Sequence, residues 1–337
     1  MQLKEKAELE ISAQSISNVL TTNFFNVMNG FYEMQSSFLS GIYKRYQNIE
    51  TATIVLSLAK NTHLTILRER EKNMDHDISI DNFWKNFNTI TKPSQKIVAI
   101  VDSTGIPKET TRRKIKLLIS KNFVEYNSKT KEYNWILLPK HQLSYRKIIN
   151  DEINSLSKFV YSFSKPLNLS LDTTIIKNEL ELQFCFYWYH FLSSQLRWLK
   201  MWQDKIKDID LLFISLQAII PTLQYLNKEN FSKSYKLENI YKIIGKIETA
   251  DLSKISVGAA SISDITGIPR ATCVRKLCHL VKLGLLEKET KSKRFFINQQ
   301  TSNRTKNILT RENINFTINN FSNYLYIILN ALIRSRN

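Results

Sequence analysis

The chain contains the stretch TGIPKETTRRKI at residues 104–115 and a related stretch, TGIPRATCVRKL, at residues 266–277, which begins 162 positions later. Each stretch continues into an apolar segment and then into a short run, NFVE at 122–125 or GLLE at 284–287. We interpret this internal repeat first because it determines the architecture of the chain. The order predicts a short helix, a tight turn at glycine, a basic second helix and a two-stranded ribbon, each occurring twice.

The repeat extends beyond these two stretches. A shift of 160 residues aligns aromatic and apolar positions of two segments that have helical periodicity. The aligned pairs are Phe24 and Phe184, Phe31 and Phe191, Gln35 and Gln195, Phe38 and Trp198, Ile42 and Trp202, and Ile49 and Ile209. The sequence therefore predicts a mainly α protein with small β-wings and an internal duplication. Each half is expected to combine a long-helix scaffold with one helix-turn-helix module.

Apolar spacing predicts two long helices, 15–45 and 173–207, followed by second helices at 50–72 and 210–227. Asp172 is expected to cap the second long helix. A further helix over 140–165 should end at Pro166. The predicted division is a scaffold at 1–78, a module at 79–140, a connecting helix at 141–168, a second scaffold at 169–235, a second module at 236–300 and a C-terminal helix at 301–337.

Two predicted helices need extensive cover. The second long helix carries the aromatic run 184–191, and the C-terminal stretch 311–336 has apolar residues at helical spacing. A helix that is apolar on most sides must pack against other helices or against a partner subunit. Either helix is therefore a candidate homodimer interface, with packing inside the chain as the alternative. For the aromatic run, a stacking platform or an aromatic effector pocket is the functional alternative.

The turn of each module has a distinct chemistry. Gly105 and Gly267 stand where the chain must reverse sharply, so positive φ angles are expected there. Pro107 and Pro269 are expected at the first position of the second helix, where no N–H is needed. One stripe of that helix should face the module core; it contains Thr111, Ile115 and Leu118 in the first module and Cys273, Leu277 and Leu280 in the second.

The start of the preceding short helix is predicted from capping chemistry. In the second module Ser261 and Asp264 form a capping-box-like pair, which predicts a helix over 262–266. The first module has Ala99 and Asp102 at these positions, so its start is less well defined.

The outward side of each second helix is basic. Its predicted DNA-contacting residues are Lys108, Thr110, Arg112, Arg113 and Lys116 in the first module, and Arg270, Thr272, Arg275, Lys276 and His279 in the second. Basic residues at the predicted ribbon tips suit phosphate contact, or they belong to an ordinary solvated hairpin. They are Lys129 and Lys131 in the first ribbon and Lys291, Lys293 and Arg294 in the second.

Residues 96–138 and 258–298 resemble the winged helix-turn-helix superfamily, and the TGIPRxTxxRKL pattern is similar to recognition-helix sequences of bacterial regulators of the MarR and IclR kind. The resemblance covers about a quarter of the chain and implies sequence-specific binding of double-stranded DNA. Those regulators usually carry one module and dimerise. This chain has two, so it is expected to read two half-sites as a pseudo-dimer.

Composition agrees with a polyanion partner. The formal net charge is +18 and the pI is about 9.6, although the richness in Lys, Asn and Ile is also what an AT-rich gene would encode. The first module has the RRKIK cluster at 112–116, so it is expected to supply more phosphate-derived affinity than the second. Three cysteines, no apolar leader and apolar runs too short for a bilayer favour a cytoplasmic protein associated with the bacterial nucleoid, with no membrane.

Other chemistries are disfavoured. Cys273 and Cys278 are five positions apart on a helix, so they point about 140° apart and do not converge on a metal with His279. A redox switch at Cys278 is the alternative to a passive thiol. No phosphate loop, nucleophile elbow or paired-carboxylate motif is present. We therefore expect no enzyme, metal or cofactor.

The leading hypothesis is a transcriptional regulator that binds DNA through both modules. A plasmid-type replication initiator also carries two winged helices in a basic chain and is the nearest alternative. A scaffold that uses winged helices for protein docking is the alternative from another class. The sequence specifies no operator and no effector.

Overall fold

The computed structural model describes residues 11–228, 247, 252–290, 292–297 and 311–335. The protein is mainly helical, and its strands form two small antiparallel sheets of two strands each. The predicted domain boundaries at 235/236 and 300/301, and Lys291, lie outside the described residues.

The elements follow one another in a repeated order. The first part contains α1 (Ala13–Thr22), α2 (Phe24–Tyr46), α3 (Ile49–Lys72), α4 (Ile80–Asn86), α5 (Ile97–Thr104), α6 (Lys108–Ser120), β1 (Val124–Asn127), β2 (Glu132–Trp135) and α7 (Pro139–Ser164). The second contains α8 (Thr173–Leu182), α9 (Phe184–Ile206), α10 (Ile209–Lys228), α11 (Leu252–Ile255), α12 (Ala259–Thr266), α13 (Arg270–Lys282), β3 (Leu286–Lys288), β4 (Phe295–Ile297) and α14 (Arg311–Arg334).

Each predicted long helix is two helices. The backbone leaves helical geometry at Asn23 (φ −112°, ψ 34°) and at Gln183 (φ −103°, ψ 35°), 160 positions later. Neither residue is glycine or proline, and the apolar spacing continues across both breaks, so periodicity alone predicted one continuous helix. The predicted cap is confirmed, because Asp172 accepts hydrogen bonds from the N–H groups of Thr174 and Ile175.

The other predicted helices agree with the structure within one or two residues. The helices predicted over 50–72 and 210–227 are α3 and α10. The connecting helix α7 gives way to a 3-10 turn, Lys165–Leu167, at the predicted proline. The C-terminal helix α14 covers most of the predicted span.

The helices of the two parts pack crosswise. Helix α3 packs against α9, and α10 packs against α2. Helix α7 lies on α2 and α8, whereas α14 lies on α9 and α1. Each of these contacts is therefore matched by a second one between the corresponding elements of the two parts.

The aromatic contacts between α2 and α9 are reciprocal at the level of residues. Phe31 lies 6.3 Å from Trp198 and Phe38 lies 5.0 Å from Phe191, both edge to face at 86° and 87°. A shift of 160 residues converts one pair into the other. Residue numbers rise along α2 as they fall along α9, so the two helices run antiparallel at this contact. Reciprocal pairs of this kind are what an approximate twofold axis generates.

The two strongly apolar helices are covered inside the chain. Phe184, Tyr187, Trp188 and Phe191 of α9 are buried. Helix α14 buries an apolar stripe that contains Ile318, Phe321, Tyr324, Leu325, Ile328, Leu329 and Leu332. Both apolar stripes are therefore packed within the chain, and the homodimer stays a prediction.

Helix α10 is 20 residues long and, by length and composition alone, apolar enough to cross a membrane. This differs from the expectation drawn from the shorter run within it. In the structure 61% of its most apolar window is buried, and the helix packs on α2, α9 and α13. Core helices of soluble proteins pass the same test, so the finding is weak evidence for a membrane span.

A buried histidine makes stability depend on pH. His63 in α3 is fully buried, stacks on Phe83 at 4.9 Å, and neither ring nitrogen has a hydrogen-bond partner among the described residues. Burial lowers the pKa of His63 to about 3. Between about pH 6.5 and 3 the unfolded chain takes up a proton that the folded chain excludes. Stability is therefore complete above this window and decreases as the pH falls through it.

We expect His63→Leu, which installs the residue type found 160 positions later at Leu223, to remove this dependence. Between pH 7 and pH 5 the free energy of unfolding should fall by about 2 kcal/mol more in the wild type than in the variant. Denaturant unfolding at both pH values measures the difference. An equal loss in both proteins would contradict the prediction.

Candidate nucleic-acid interface

Both helix-turn-helix turns have the predicted backbone. Gly105 and Gly267 have φ angles of 71° and 75°, which confirms the predicted left-handed positions. Pro107 and Pro269 are one position earlier than predicted, because they are the N-cap residues of α6 and α13. Proline suits this position as well, since its fixed φ leads into the helix and no N–H is lost.

The predicted capping box is wrong. Helix α12 begins at Ala259 with Gly258 as its N-cap, so Ser261 lies inside the helix. The start is set instead by Val257, which forms a β-bridge with Phe295 of the following hairpin. The corresponding helix α5 starts at Ile97, two residues after Gln95, which bridges Tyr133 in the same way. This hairpin pairing is a long-range contact that a local capping pattern does not reveal.

The two turns are closed by equivalent hydrogen bonds. The hydroxyls of Thr104 and Thr266 each donate to a carbonyl four residues earlier, at 2.7 Å and 2.6 Å. In α6 the hydroxyl of Thr111 donates to the Ile106 carbonyl at 3.1 Å, and in α13 the thiol of Cys273 donates to the Ile268 carbonyl at 3.4 Å. Cys273 is thus a buried helix residue whose thiol binds a carbonyl of the turn.

The predicted core stripes of both second helices are confirmed. Buried positions are Thr111, Ile115 and Leu118 in α6, and Cys273, Leu277 and Leu280 in α13. After each helix an antiparallel hairpin follows, with Val124 opposite Trp135 and Leu286 opposite Ile297. The order of helix, turn, helix and hairpin is therefore present twice.

Each turn is mounted on the long helix of the other part. The Lys200 ammonium of α9 donates to the Asp102 carbonyl at 2.6 Å, and a Cβ added to Gly105 would lie 2.9 Å from Lys200 Cγ. In the second module the Ser40 hydroxyl of α2 donates to the Ile265 carbonyl at 2.8 Å. A Cβ on Gly267 would lie 3.2 Å from the Cγ of Lys44, also in α2. Both glycines thus combine positive φ with close helix contact.

A lysine on each second helix forms an ion pair with the scaffold. Lys114 Nζ lies 3.0 Å from Glu50 Oε2 and donates to Asn48 Oδ1 at 2.6 Å. The second such lysine, Lys276, lies 2.6 Å from Asp208 Oδ2 and 3.5 Å from Asp210 Oδ2. Glu50 and Asp210 are 160 positions apart in the sequence, and the two lysines are 162 positions apart. We call these two contacts the scaffold ion pairs.

The scaffold ion pairs are mostly shielded from solvent. The lysine side chains are 13% and 12% exposed, and that of Asp210 is 14% exposed. Burial raises the pKa of Asp210, and the neighbouring Lys276 opposes the rise. The ammonium of Lys276 therefore holds α13 on the scaffold, and we leave this residue out of the proposed DNA surface.

Most other predicted contact residues face solvent. Exposed positions are Lys108, Arg112, Arg113, Lys116, Lys129, Lys131, Arg270, Arg275, His279, Lys293 and Arg294. Thr110 and Thr272 are half-buried, as is Cys278. Arg112 is ion-paired with Glu109, and Arg294 donates to the hydroxyl and carbonyl of Ser256 at the base of its module.

These pairings reduce the difference in charge between the modules. In the basic cluster of α6, Arg112 is paired with Glu109 and Lys114 with Glu50, which leaves Arg113 and Lys116 without an ion pair to a described residue. In α13, Arg270 and Arg275 are likewise exposed without such a pair. The RRKIK cluster alone predicts a larger phosphate-derived affinity for the first module. With these pairings, we expect the two modules to contribute more similar affinities.

Two apolar side chains on the second helices were not predicted as part of this surface. Leu117 in α6 and Val274 in α13 are each 43% exposed beside the basic residues. Apolar side chains in the major groove contact thymine methyl groups. Charge patterning gives no signal for such residues, although their positions outside the buried stripe could have identified them. They are exposed apolar positions on a surface that is otherwise basic.

Among the described residues, no three His, Cys, Asp or Glu side chains are grouped to hold a metal ion. Comparisons of the chain with protein-family models, with curated proteins and with solved structures found no match.

Proposed function

We propose that the chain is an internally duplicated DNA-binding protein with two winged helix-turn-helix modules, acting as a transcriptional regulator in the bacterial cytoplasm. The observation that carries the proposal is the pair of solvent-facing basic helices, α6 and α13, each anchored by an equivalent lysine to the scaffold. A rigidly held helix with outward arginines suits the major groove, where arginine reads guanine. The exposed Lys129, Lys131 and Lys293 of the hairpin turns suit phosphate.

The reciprocal packing also predicts the symmetry of the DNA site. Two modules related by a twofold axis present their second helices in opposite directions, so they match two half-sites arranged as an inverted repeat. The α2–α9 contact is centred near Gln35 and Gln195. Lys44 and Asp204, which lie beside the two turns, are about nine residues beyond this centre on opposite sides, or roughly 27 Å apart along the helices. This separation is roughly 7 Å shorter than one turn of B-DNA, which is about 34 Å.

Measuring duplex affinity against salt concentration tests the proposal. We expect Arg113→Ala and Arg275→Ala each to reduce the slope of log K against log salt by about one. Lys72→Ala is the matched control, because Lys72 is far from α6. Glu50 is the residue of α3 that pairs with α6, and Lys72 lies 22 residues farther along α3, or roughly 33 Å away. A wild-type protein that binds no duplex at low salt, or equal losses in the control, would remove the proposal.

The arrangement of the preferred site separates the two DNA-binding hypotheses. After selection of bound sequences, we expect the inverted repeat to bind more tightly than a direct repeat of the same half-sites. Preference for the direct repeat would favour the replication initiator instead. Absence of duplex binding together with capture of a protein partner would favour the docking scaffold.

A further inference from the structure

Two cations of the scaffold lie beside each other without a counter-ion. Lys60 of α3 is half-buried, and Arg197 of α9 is exposed. Among the described residues, neither side chain has an ion-pair or hydrogen-bond partner. Burial lowers the pKa of Lys60, and the nearby Arg197 guanidinium lowers it further. The two positive charges therefore repel each other across the contact between α3 and α9.

The internal repeat explains why these two side chains meet. Their equivalent positions, 160 residues away, are Ile220 of α10 and Ser37 of α2. Both positions lie one helical turn from a hydrogen bond that joins the same two helices, in which Gln224 donates to Glu33 at 2.8 Å. The contact thus brings facing side chains together in each part. It pairs two uncharged residues in one part and two cations in the other.

The acidic residues of α3 and α9 lie far from the two cations. In α9 the only acidic residue is Asp204, seven positions after Arg197 and roughly 10 Å along the helix. In α3 the nearest are Glu50 and Glu69, ten and nine positions from Lys60, or roughly 14 Å. Neither helix therefore supplies a carboxylate to the pair.

His190 adds a third basic side chain on the same side of α9. It is half-buried and lies about two helical turns before Arg197. Burial lowers the pKa of the His190 imidazole, and the Arg197 guanidinium lowers it further. The neutral imidazole keeps one N–H, so it can donate a hydrogen bond without adding to the repulsion.

The cluster has the chemistry of an anion site. A cation that loses hydration without gaining a partner is unfavourable, and a bound anion would offset both the desolvation and the repulsion. A guanidinium presents a planar fork of donors that matches phosphate, and an ammonium adds a compact charge. The groups of Lys60, Arg197 and His190 are open to solvent, because none is among the enclosed polar atoms that lack a partner.

We propose that Lys60 and Arg197 bind a phosphate group between α3 and α9, with His190 as a further hydrogen-bond donor. The phosphate belongs either to the backbone of a bound duplex or to a small phosphorylated molecule, and the same groups recognise both. Lys200, three residues after Arg197, donates to the carbonyl of Asp102. The bound phosphate would therefore lie beside the first helix-turn-helix turn. The inference does not depend on DNA binding.

Inorganic phosphate at millimolar concentration is the probe, and chloride at equal ionic strength is its reference. Phosphate should saturably raise the thermal unfolding midpoint of the full-length protein above its value in chloride. Lys60→Glu tests the juxtaposition, because the new carboxylate would pair with Arg197. This variant should have a higher midpoint than the wild type in chloride and no further rise in phosphate. A lower midpoint in chloride would show a packing role for Lys60 and overturn the proposal.

A matched pair of variants removes one charge each. Arg197→Met should weaken phosphate binding about tenfold or more. Lys158→Met removes an exposed charge from α7 and should leave phosphate binding unchanged. Because phosphate also stabilises folded proteins by exclusion from their surface, the comparison of the two variants cancels that general effect. Equal weakening in both variants would overturn the proposal.

The salt dependence of duplex binding separates the two sources of phosphate. If the group belongs to the duplex, Arg197→Met should reduce the slope of log K against log salt by about one. If it belongs to a small molecule, the slope should stay at the wild-type value while the stabilisation by phosphate is lost. Absence of both effects would overturn the proposal. A protein that binds phosphate here but binds no duplex would remove the DNA-binding function and retain this site.

Discussion

Replacing Lys108, Arg113 and Lys116 together by glutamate is expected to lower the affinity for duplex DNA about a thousandfold near 0.1 M salt. These residues are exposed on α6, and none forms an ion pair with a described residue. Each lost phosphate contact removes nearly one unit from the salt slope, so three contacts account for almost three decades of affinity at this salt concentration. The introduced carboxylates add repulsion. Arg112 is left intact because its partner Glu109 would otherwise lie beside a new carboxylate.

The control for this variant changes charge equally at other sites. Arg68, Lys85 and Lys158 are exposed on α3, α4 and α7, and none forms an ion pair with a described residue. Their replacement by glutamate gives the same net charge, and distant surface charges are screened at this ionic strength. We expect less than a tenfold loss of affinity in fluorescence anisotropy titrations. Equal losses in the two triple variants would show that net charge, not the surface of α6, produces the binding.

The second large effect is expected from the scaffold ion pair of the second module. Lys276→Met leaves Asp210 shielded from water without its cation, and removal of one partner of a buried pair is strongly destabilising. We expect the free energy of unfolding to fall by about 3 kcal/mol. The double variant Lys276→Met with Asp210→Leu should recover most of this loss. Chemical denaturation of both variants measures the effect.

The salt dependence of DNA binding tests independently whether Lys276 contacts the scaffold or phosphate. Because Lys276 faces the scaffold, the folded Lys276→Met variant should keep the wild-type salt slope. Lys116→Met is the matched exposed change, and it should reduce the slope by about one while changing stability by less than about 0.5 kcal/mol. A reduced slope in Lys276→Met would instead assign its ammonium to phosphate.

Local features of this fold were predictable because local physics determines them. The turn glycines and the buried stripe of each second helix follow from steric limits on φ and from a period of 3.6 residues. Each hairpin was predictable because two short apolar runs flank one basic turn. Even the cap at Asp172 is a local hydrogen-bond pattern. Helix breaks at Asn23 and Gln183 were missed, because periodicity is unaffected by a single residue that leaves the helical region.

Long-range features could not be predicted from local patterns. Lys276 was predicted to contact DNA, and Lys114, which aligns with it in the repeat, was assigned no partner. The sequence did not predict that Lys114 turns toward Glu50 and Lys276 toward Asp210. A lysine at such a position reaches phosphate or a carboxylate, depending on where another helix lies. The contacts of the two turns with Lys200 and Ser40 were not predictable for the same reason, because they depend on where a helix of the other part lies.

The crosswise mounting also has a consequence for the order of synthesis. The first turn rests on Lys200, and α3 buries its apolar side against α9, so the amino-terminal part lacks its support until about 200 residues have been made. Domains usually fold as units while the chain emerges, but here the folding unit spans both parts. A chain ending at residue 168 is therefore expected to show no cooperative unfolding transition alone, and to acquire one when residues 169–337 are supplied. Ribosome-bound chains should likewise resist proteolysis only after α9 has left the exit tunnel.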